Sequence, residues 1–134
     1  MDLLTVSIVK VTANLGPPGH DTIIDAGGHR LHADEPLSAG GSDTGPAPYD
    51  FLLAGLGACT SMTLRMYAAK RRWPIAALQI VLRMSRLDGG MHIDRTIAVR
   101  GLNALQRAEL AEAAETTPVT LTLRSGATIG TVVE

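Results

Sequence analysis

GPAPYDFLLAGLGACTSMTLRMYAAKRRW, residues 45–73, forms the longest helical pattern in the chain and contains its only cysteine, Cys59. Pro48 suits the first turn of a helix, because the amide hydrogen that proline lacks would have no partner there. Asp50 places a negative charge where the helix dipole favours it, and basic residues gather at the other end. No charge occurs in residues 51–64, so we expect the front half of this helix to be buried on every side.

The composition indicates one globular domain. The chain has 134 residues, 46% of them hydrophobic, and a formal net charge of -1 at pH 7. A nearly neutral chain lacks the basic face that nucleic-acid binding normally requires. The charge-free run of the central helix is shorter than the roughly 20 apolar residues of a membrane span. We therefore predict a single domain over residues 1–134 that binds neither nucleic acid nor a membrane.

The single cysteine and the N-terminus bear on location. One cysteine excludes an internal disulfide and is typical of a reducing compartment. Residues 1–4 lack the charged region and long apolar run of a signal peptide, so we expect a cytoplasmic protein. We expect no cofactor. We also expect no metal site, because His29 and His32 are three positions apart in a predicted strand and face opposite sides unless the strand bends.

Alternating and β-branched patterns predict six strands and two helices in the order βββ-α-ββ-α-β, an α+β fold. We expect antiparallel sheets wrapped around the long central helix. In the second helix, predicted over residues 103–116, Asn103 and Gln106 form a capping box. The predicted strands cover residues 4–13, 20–25, 29–33, 77–86, 91–100 and 127–133.

The second predicted hairpin shows the clearest alternation. Residues 77–86 alternate apolar and polar side chains, and in residues 91–100 we expect Ile93, Ile97 and Val99 to point inward. One fully apolar helix flanked by two such sheets is difficult to cover within a monomer of this size. A dimer that buries two central helices together would solve this problem.

The central stretch, GPAPYDFLLAGLGACTSMTLRMYA, resembles the OsmC/Ohr family of osmotically inducible and organic hydroperoxide resistance proteins. GGHRLHADEP, RRWP, GLNALQRAEL and TPV follow the family's order, so the resemblance covers nearly the whole chain. It is closest to the subgroup with an ADEP motif that lacks the second cysteine. The resemblance implies an intertwined homodimer with its active sites at the subunit interface.

The resemblance also assigns the site residues, and they transfer unequally. Cys59 matches the peroxidatic cysteine, which attacks a peroxide oxygen as a thiolate and becomes a sulfenic acid. Thr117 stands where the resolving cysteine of the family is found, and Thr120 where a histidine often follows. Tyr49 occupies the position of the family's glutamate, and Asp50 comes one position late.

The activating arginine of the family belongs to the first hairpin, and the matching residues 13–19 contain none. Arg30, Arg65 or an arginine of the other subunit could take its place. Arg65 lies six residues after Cys59, on the opposite side of the helix, so a salt bridge or partner contact is the simpler interpretation.

Each of these assignments has a structural alternative. Free cysteine is often an inert, buried, small hydrophobic residue, and Cys59 lies too far along its helix for its own dipole to assist much. The position of Asp50 is fully explained as a favourable charge in the first helical turn. Thr117 would fill the space of the resolving cysteine without its redox chemistry.

Two functional hypotheses follow. The first is a peroxiredoxin-like thiol peroxidase that reduces small hydroperoxides in oxidative stress defence, with Cys59 as nucleophile and an external thiol as reductant. The second is a non-catalytic dimer of the same fold that binds a small apolar molecule at the subunit interface. The reactivity of Cys59 distinguishes the two.

Overall fold

The computed structural model describes residues 8–134. Its contacts divide the chain into two compact units, which meet between Leu52 and Leu53 and are described separately below. The long helix α1 (Pro48–Lys70) begins in the first unit and continues in the second. The single domain expected over residues 1–134 stays a prediction.

The first unit contains a three-stranded antiparallel sheet in the order β1-β2-β3, followed by a short 3-10 helix. This confirms the predicted meander, although the first strand starts later than expected and residues 4–7 of its predicted range lie outside the described residues. The elements are β1 (Val11–Leu15), β2 (Thr22–Ala26), β3 (His29–Ala33) and the 3-10 helix Leu37–Ala39.

The loop after β3 is organised around the buried carboxylate of Asp34. This carboxylate accepts hydrogen bonds from the backbone N–H groups of Glu35, Ser42 and Thr44 at 2.8–3.2 Å. It also accepts one from the Thr44 hydroxyl at 2.7 Å. These bonds, led by that of the Thr44 hydroxyl, lower the pKa of Asp34 from 3.8 to about 2. At Gly45 a Cβ atom would collide with the backbone carbonyl of His32, so the close approach requires glycine.

The second unit combines the rest of α1 with a hairpin and two further helices. The predicted hairpin is confirmed, with its tight turn between Leu87 and Gly90. The predicted capping box is confirmed as well, because Asn103 and Gln106 each accept the other's backbone N–H at 2.8–2.9 Å. The elements are β4 (Ala77–Leu87), β5 (Gly90–Arg100), α2 (Ala104–Ala114) and α3 (Pro118–Ser125).

The core of the second unit lies between α1, the hairpin and α2. Trp73, the only tryptophan of the chain, packs against it with its ring edge-to-face to Tyr67, at 5.8 Å between centroids. The Arg71 guanidinium lies 3.5 Å from the centre of the Tyr67 ring. The buried core residues are Leu64, Ala68, Ile75, Leu102, Leu110 and Ala114.

Helix α1 has one buried face, and the expectation of burial on every side is wrong within a single chain. Its buried residues recur at every fourth position, from Leu56 to Ala68, which is the spacing of one helix face. Met62 and Met66 on another face are mostly exposed, because the elements packed onto α1 cover only one side of it. Within residues 8–134, no helix is long and apolar enough to cross a membrane.

The predicted last strand, residues 127–133, is also wrong: the chain has no regular secondary structure after α3. Ile129, Val132 and Val133 are about nine-tenths exposed. A strand forms only when a neighbouring backbone satisfies its N–H and C=O groups, and no described strand pairs with this segment. β-branched residues alone are not sufficient.

Candidate active site

Cys59 lies on α1 in the second unit and is only partly buried. Its sulfur accepts a hydrogen bond from the backbone N–H of Val119 at 3.5 Å and lies 3.9 Å from the Thr63 hydroxyl. Val119 is the second residue of α3, where a backbone N–H has no acceptor inside the helix. This N–H is therefore free to donate to the sulfur, and such donors bind a negatively charged atom more strongly than a neutral one.

The structure places Thr117 at the start of α3, two residues before Val119. Its side chain is fully buried, and its hydroxyl lies 2.6 Å from that of Thr120. The residues at two of the family's positions therefore lie in hydrogen-bond contact with each other, close to the segment that contacts Cys59. Thr117 has no sulfur, so this contact supplies no redox partner.

Sequence reasoning missed Arg95, which connects three elements around Cys59. From β5 its guanidinium donates to the Thr60 hydroxyl of α1 at 3.0 Å and to the Thr120 hydroxyl of α3 at 2.7 Å. It also donates to the Ala114 carbonyl at the end of α2, at 2.8 Å. Arg95 thus holds the residue next to Cys59 and the residue next to Val119. We call Arg95, Thr60, Thr117 and Thr120 the Arg95 cluster.

The alternation of residues 91–100 in the sequence already indicated that Arg95 points inward. It is in phase with Ile93, Ile97 and Val99, the positions predicted to point inward, and all four side chains are half-buried. A charged residue on the inward face of an alternating strand requires buried partners. That requirement was the available indication of a polar cluster beneath the hairpin.

The remaining predicted residues have local partners. Asp50 accepts the backbone N–H of Ala47 at 2.9 Å, which agrees with its interpretation as a residue of the first helical turn. The side chain of Tyr49 is exposed. Arg30 pairs with Asp25 across β2 and β3 at 3.6 Å, and both side chains are largely exposed.

Arg65 is exposed on α1, and its guanidinium lies 3.5 Å from the Ile75 carbonyl, which accepts its hydrogen bond. The acceptor is a backbone carbonyl, so the salt bridge expected for Arg65 is not found among the described residues, and the expected partner contact stays a prediction. The structure therefore joins Cys59 with the segment that contains Thr117 and adds Arg95. The catalytic role of Cys59 stays a prediction, as do the supporting roles of Tyr49, Asp50, Arg30, Arg65 and Thr117.

His32 has polar neighbours of its own, with Asp21 at 3.7 Å and the Thr44 hydroxyl at 3.3 Å. In the part of the chain that the structure describes, no three histidine, cysteine or acidic side chains come together in a way that could hold a metal ion.

Comparison with known proteins identifies relatives of this arrangement. The sequence model of a family described as OsmC-like protein matches residues 40–132. No curated protein sequence matches the chain. The fold is similar to a Psychrobacter arcticus protein described as a putative osmotic stress induced and detoxification response protein. That likeness has a TM-score of 0.72 at 16% identity over 91% of each chain.

Two further solved structures are similar. An organic hydroperoxide resistance protein OsmC of Legionella pneumophila matches with a TM-score of 0.67 and 18% identity, over 90% of this chain and 91% of that one. The organic hydroperoxide resistance protein OhrB of Bacillus subtilis matches with a TM-score of 0.61 and 26% identity, over 88% of this chain and 91% of that one.

Proposed function

Because the chain belongs to the OsmC-like protein family, we propose that it is a thiol-dependent hydroperoxide reductase in which Cys59 is the nucleophile and which acts in peroxide defence. Two of its structural neighbours are named organic hydroperoxide resistance proteins. The observation that carries the proposal is the hydrogen bond from the Val119 N–H to the Cys59 sulfur. A partly exposed sulfur with a backbone donor is accessible to a small substrate.

The proposed reaction begins with attack of the Cys59 thiolate on the terminal peroxide oxygen. The O–O bond breaks, the alcohol leaves after taking up a proton, and the sulfur is oxidised to a sulfenic acid. The Val119 N–H supports the negative sulfur before attack. No described side chain of the second unit places a cation in contact with the sulfur, so this backbone donor supplies the support in the proposal.

The sulfenic acid is then reduced by an external thiol. The first thiol displaces water and forms a mixed disulfide with Cys59, and a second thiol releases the free cysteine. Thr117 supports this assignment, since it occupies the position of the resolving cysteine and cannot form a disulfide. We infer a low-molecular-weight thiol or a small redox protein as the reductant.

The decisive experiment compares wild type with Cys59→Ser. Wild-type protein treated with stoichiometric cumene hydroperoxide should gain one oxygen in its intact mass, and a dithiol should reverse the change. Cys59→Ser should consume no hydroperoxide. Ser61→Ala, a substitution at a half-buried position of the same helix, is the matched control and should react as wild type does. Equal consumption by Cys59→Ser and wild type would disprove the proposal.

We also propose that the protein acts as a homodimer. An exposed apolar surface on α1 supports this, because such a surface on a small protein is typical of an interaction site. On α1 this surface includes Met62 and Met66, which are 64% and 58% exposed. Analytical ultracentrifugation at micromolar concentration should give a dimer for wild type and a monomer for Met62→Glu. A stable wild-type monomer would contradict the proposal.

The second hypothesis, a non-catalytic dimer that binds an apolar molecule at its interface, stays as the alternative. An unreactive Cys59 would favour it. A cytoplasmic location suits the proposed reaction, because a reducing compartment supplies the thiols that regenerate the cysteine.

A further inference from the structure

A cavity of about 570 Å³ lies in the second unit, between β5, α2 and α3. This volume is within the range of small-molecule sites in proteins. Much of its wall is apolar, and Cys59 is not part of it. The apolar side chains that line it are Leu56, Met91, Ile93, Ile97, Ala111, Ala114 and Leu123.

Arg95 also lines this cavity, and its three hydrogen bonds leave two of its five N–H groups without a partner among the described residues. Its three hydrogen bonds use the two terminal nitrogens, Nη1 and Nη2, which leaves Nε without a partner among the described residues. No fully buried side-chain nitrogen or oxygen lacks a partner in the described structure. The Nε–H group is therefore not fully buried, and it belongs to a side chain that lines the cavity.

The charges at the cavity wall do not cancel. Glu115 and Arg124 form an ion pair with each other. The His92 ring lies 2.9 Å from the carboxylate of Asp94, which does not line the cavity. Arg95 forms no ion pair with any residue of the 8–134 range. Arg95, Arg124 and Glu115 thus give the cavity, whose wall is about half apolar, a net positive charge, and such a charge favours an anionic partner.

We propose that this cavity binds a monocarboxylate with a linear apolar chain. The carboxylate accepts hydrogen bonds from the open donors of Arg95, and the chain packs along Ile93, Ile97 and Leu123. A single negative charge matches the net positive charge of the lining residues. The proposed binding does not rest on the reaction proposed at Cys59, although Arg95 and Thr120 belong both to the cavity wall and to the Arg95 cluster.

Isothermal titration calorimetry with octanoate tests the charge requirement. Octanoate should bind with 1:1 stoichiometry per chain, and n-octanol, which has the same apolar chain without the charge, should bind at least tenfold more weakly. Equal affinities for the two would overturn the proposal. Octyl phosphate that binds more tightly than octanoate would also overturn it, in favour of a phosphate ligand.

Two variants test the location. Arg95→Met should lower octanoate affinity at least tenfold and leave n-octanol affinity unchanged. Arg86→Met, an exposed substitution on the same hairpin, should bind octanoate as wild type does. Leu123→Trp fills the cavity without altering the bonds of Arg95, so it keeps the proposal testable if Arg95→Met does not fold. Wild-type octanoate affinity in folded Leu123→Trp would refute the site.

Cys59→Ser separates this proposal from the peroxidase proposal. Because Cys59 does not line the cavity, the variant should bind octanoate with wild-type affinity even though it consumes no hydroperoxide. Loss of octanoate binding in Cys59→Ser would contradict a separate cavity site. An inactive wild-type enzyme that binds octanoate would refute only the proposed reaction.

Discussion

Asp34 in the first unit and Arg95 in the second each carry a charge that is held by hydrogen bonds within the protein, but these bonds differ in kind. Asp34 is 3% exposed and accepts four hydrogen bonds, all from residues within ten positions of it in the chain. Arg95 donates to groups 19, 25 and 35 positions away. The first charge therefore shapes one loop, whereas the second joins one strand to three helices.

The two groups also differ in the bonding capacity that remains. The Asp34 carboxylate uses both oxygens and faces N–H and O–H donors of its own loop, so it is a purely structural group. Arg95 keeps accessible Nε–H capacity beside a cavity. A buried charged group whose hydrogen-bonding capacity is fully used stabilises one conformation. A charged group with unused N–H donors can also bind a ligand.

The largest effect is expected from Arg95→Met. The substitution keeps much of the side-chain volume but removes three charge-assisted hydrogen bonds to groups in the interior. We expect it to lower the free energy of unfolding by about 2–4 kcal/mol. Urea denaturation should measure this loss, and Arg86→Met should differ from wild type by less than about 0.5 kcal/mol. Equal losses of unfolding free energy in the two variants would show that the hydrogen bonds of Arg95 do not stabilise the fold more than an exposed arginine does.

The pH dependence of the free energy of unfolding tests the contribution of Asp34. Because the pKa of Asp34 is about 2 in the folded protein and 3.8 ordinarily, the unfolded chain takes up a proton first as the pH falls. The contribution of Asp34 is thus complete above about pH 4 and declines between pH 4 and 2. Urea midpoints measured across this window should show the decline.

Thr44→Val is the matched variant for this prediction. The Thr44 hydroxyl is the largest cause of the lowered pKa of Asp34, so its removal should make the decline with falling pH less steep. Asp34→Asn should lower stability at pH 7 and remove this component of the pH dependence altogether. A pH dependence in Asp34→Asn that equals that of wild type would show that other groups dominate.

Thr117→Val should have a smaller effect. Valine has nearly the same shape, and the change removes only the hydroxyl contact with Thr120. The expected loss is about 1 kcal/mol of unfolding free energy, measured in urea. Thr122→Val, an exposed substitution on the same helix, should cost less. If Thr117→Val were as damaging as Arg95→Met, the hydroxyl pair and not the guanidinium would hold the cluster together.

Arg30→Gln should have the smallest effect. The Arg30–Asp25 pair is 3.6 Å long, and the Arg30 side chain is 75% exposed, so solvent weakens the attraction. We expect a change within about 0.5 kcal/mol in urea denaturation and no change in hydroperoxide consumption. A loss of consumption would show that Arg30 does replace the activating arginine of the family.

Local patterns in the sequence predicted most elements of both units correctly. The alternation of residues 77–86 and 91–100 identified the second hairpin, and Asn103 with Gln106 fixed the start of α2. These signals are local, because each depends on residues that are neighbours in the chain. The family resemblance placed Cys59 and Thr117, which the structure brings near each other through Val119.

Features that depend on distant partners were not predictable in this way. The pairing of Arg95 with Thr60 joins residues 35 positions apart, and only its phase in the strand indicated burial. The apolar run of residues 51–64 suggested burial on every side, but apolar composition does not state how many neighbours the chain can supply. Residues 127–133 are rich in β-branched side chains, which suggested a strand. This composition does not show whether a partner strand is available, and no described strand pairs with the segment.

The packing of Trp73 makes the protein its own optical reporter. The only indole of the chain belongs to the core of the second unit, where Tyr67 lies close enough to transfer its excitation to it. Fluorescence excited at the indole band therefore follows the unit that contains Cys59, and far-ultraviolet circular dichroism follows the whole chain. Coincident transitions from the two signals would mean that both units unfold together, and separated transitions would give each unit its own stability.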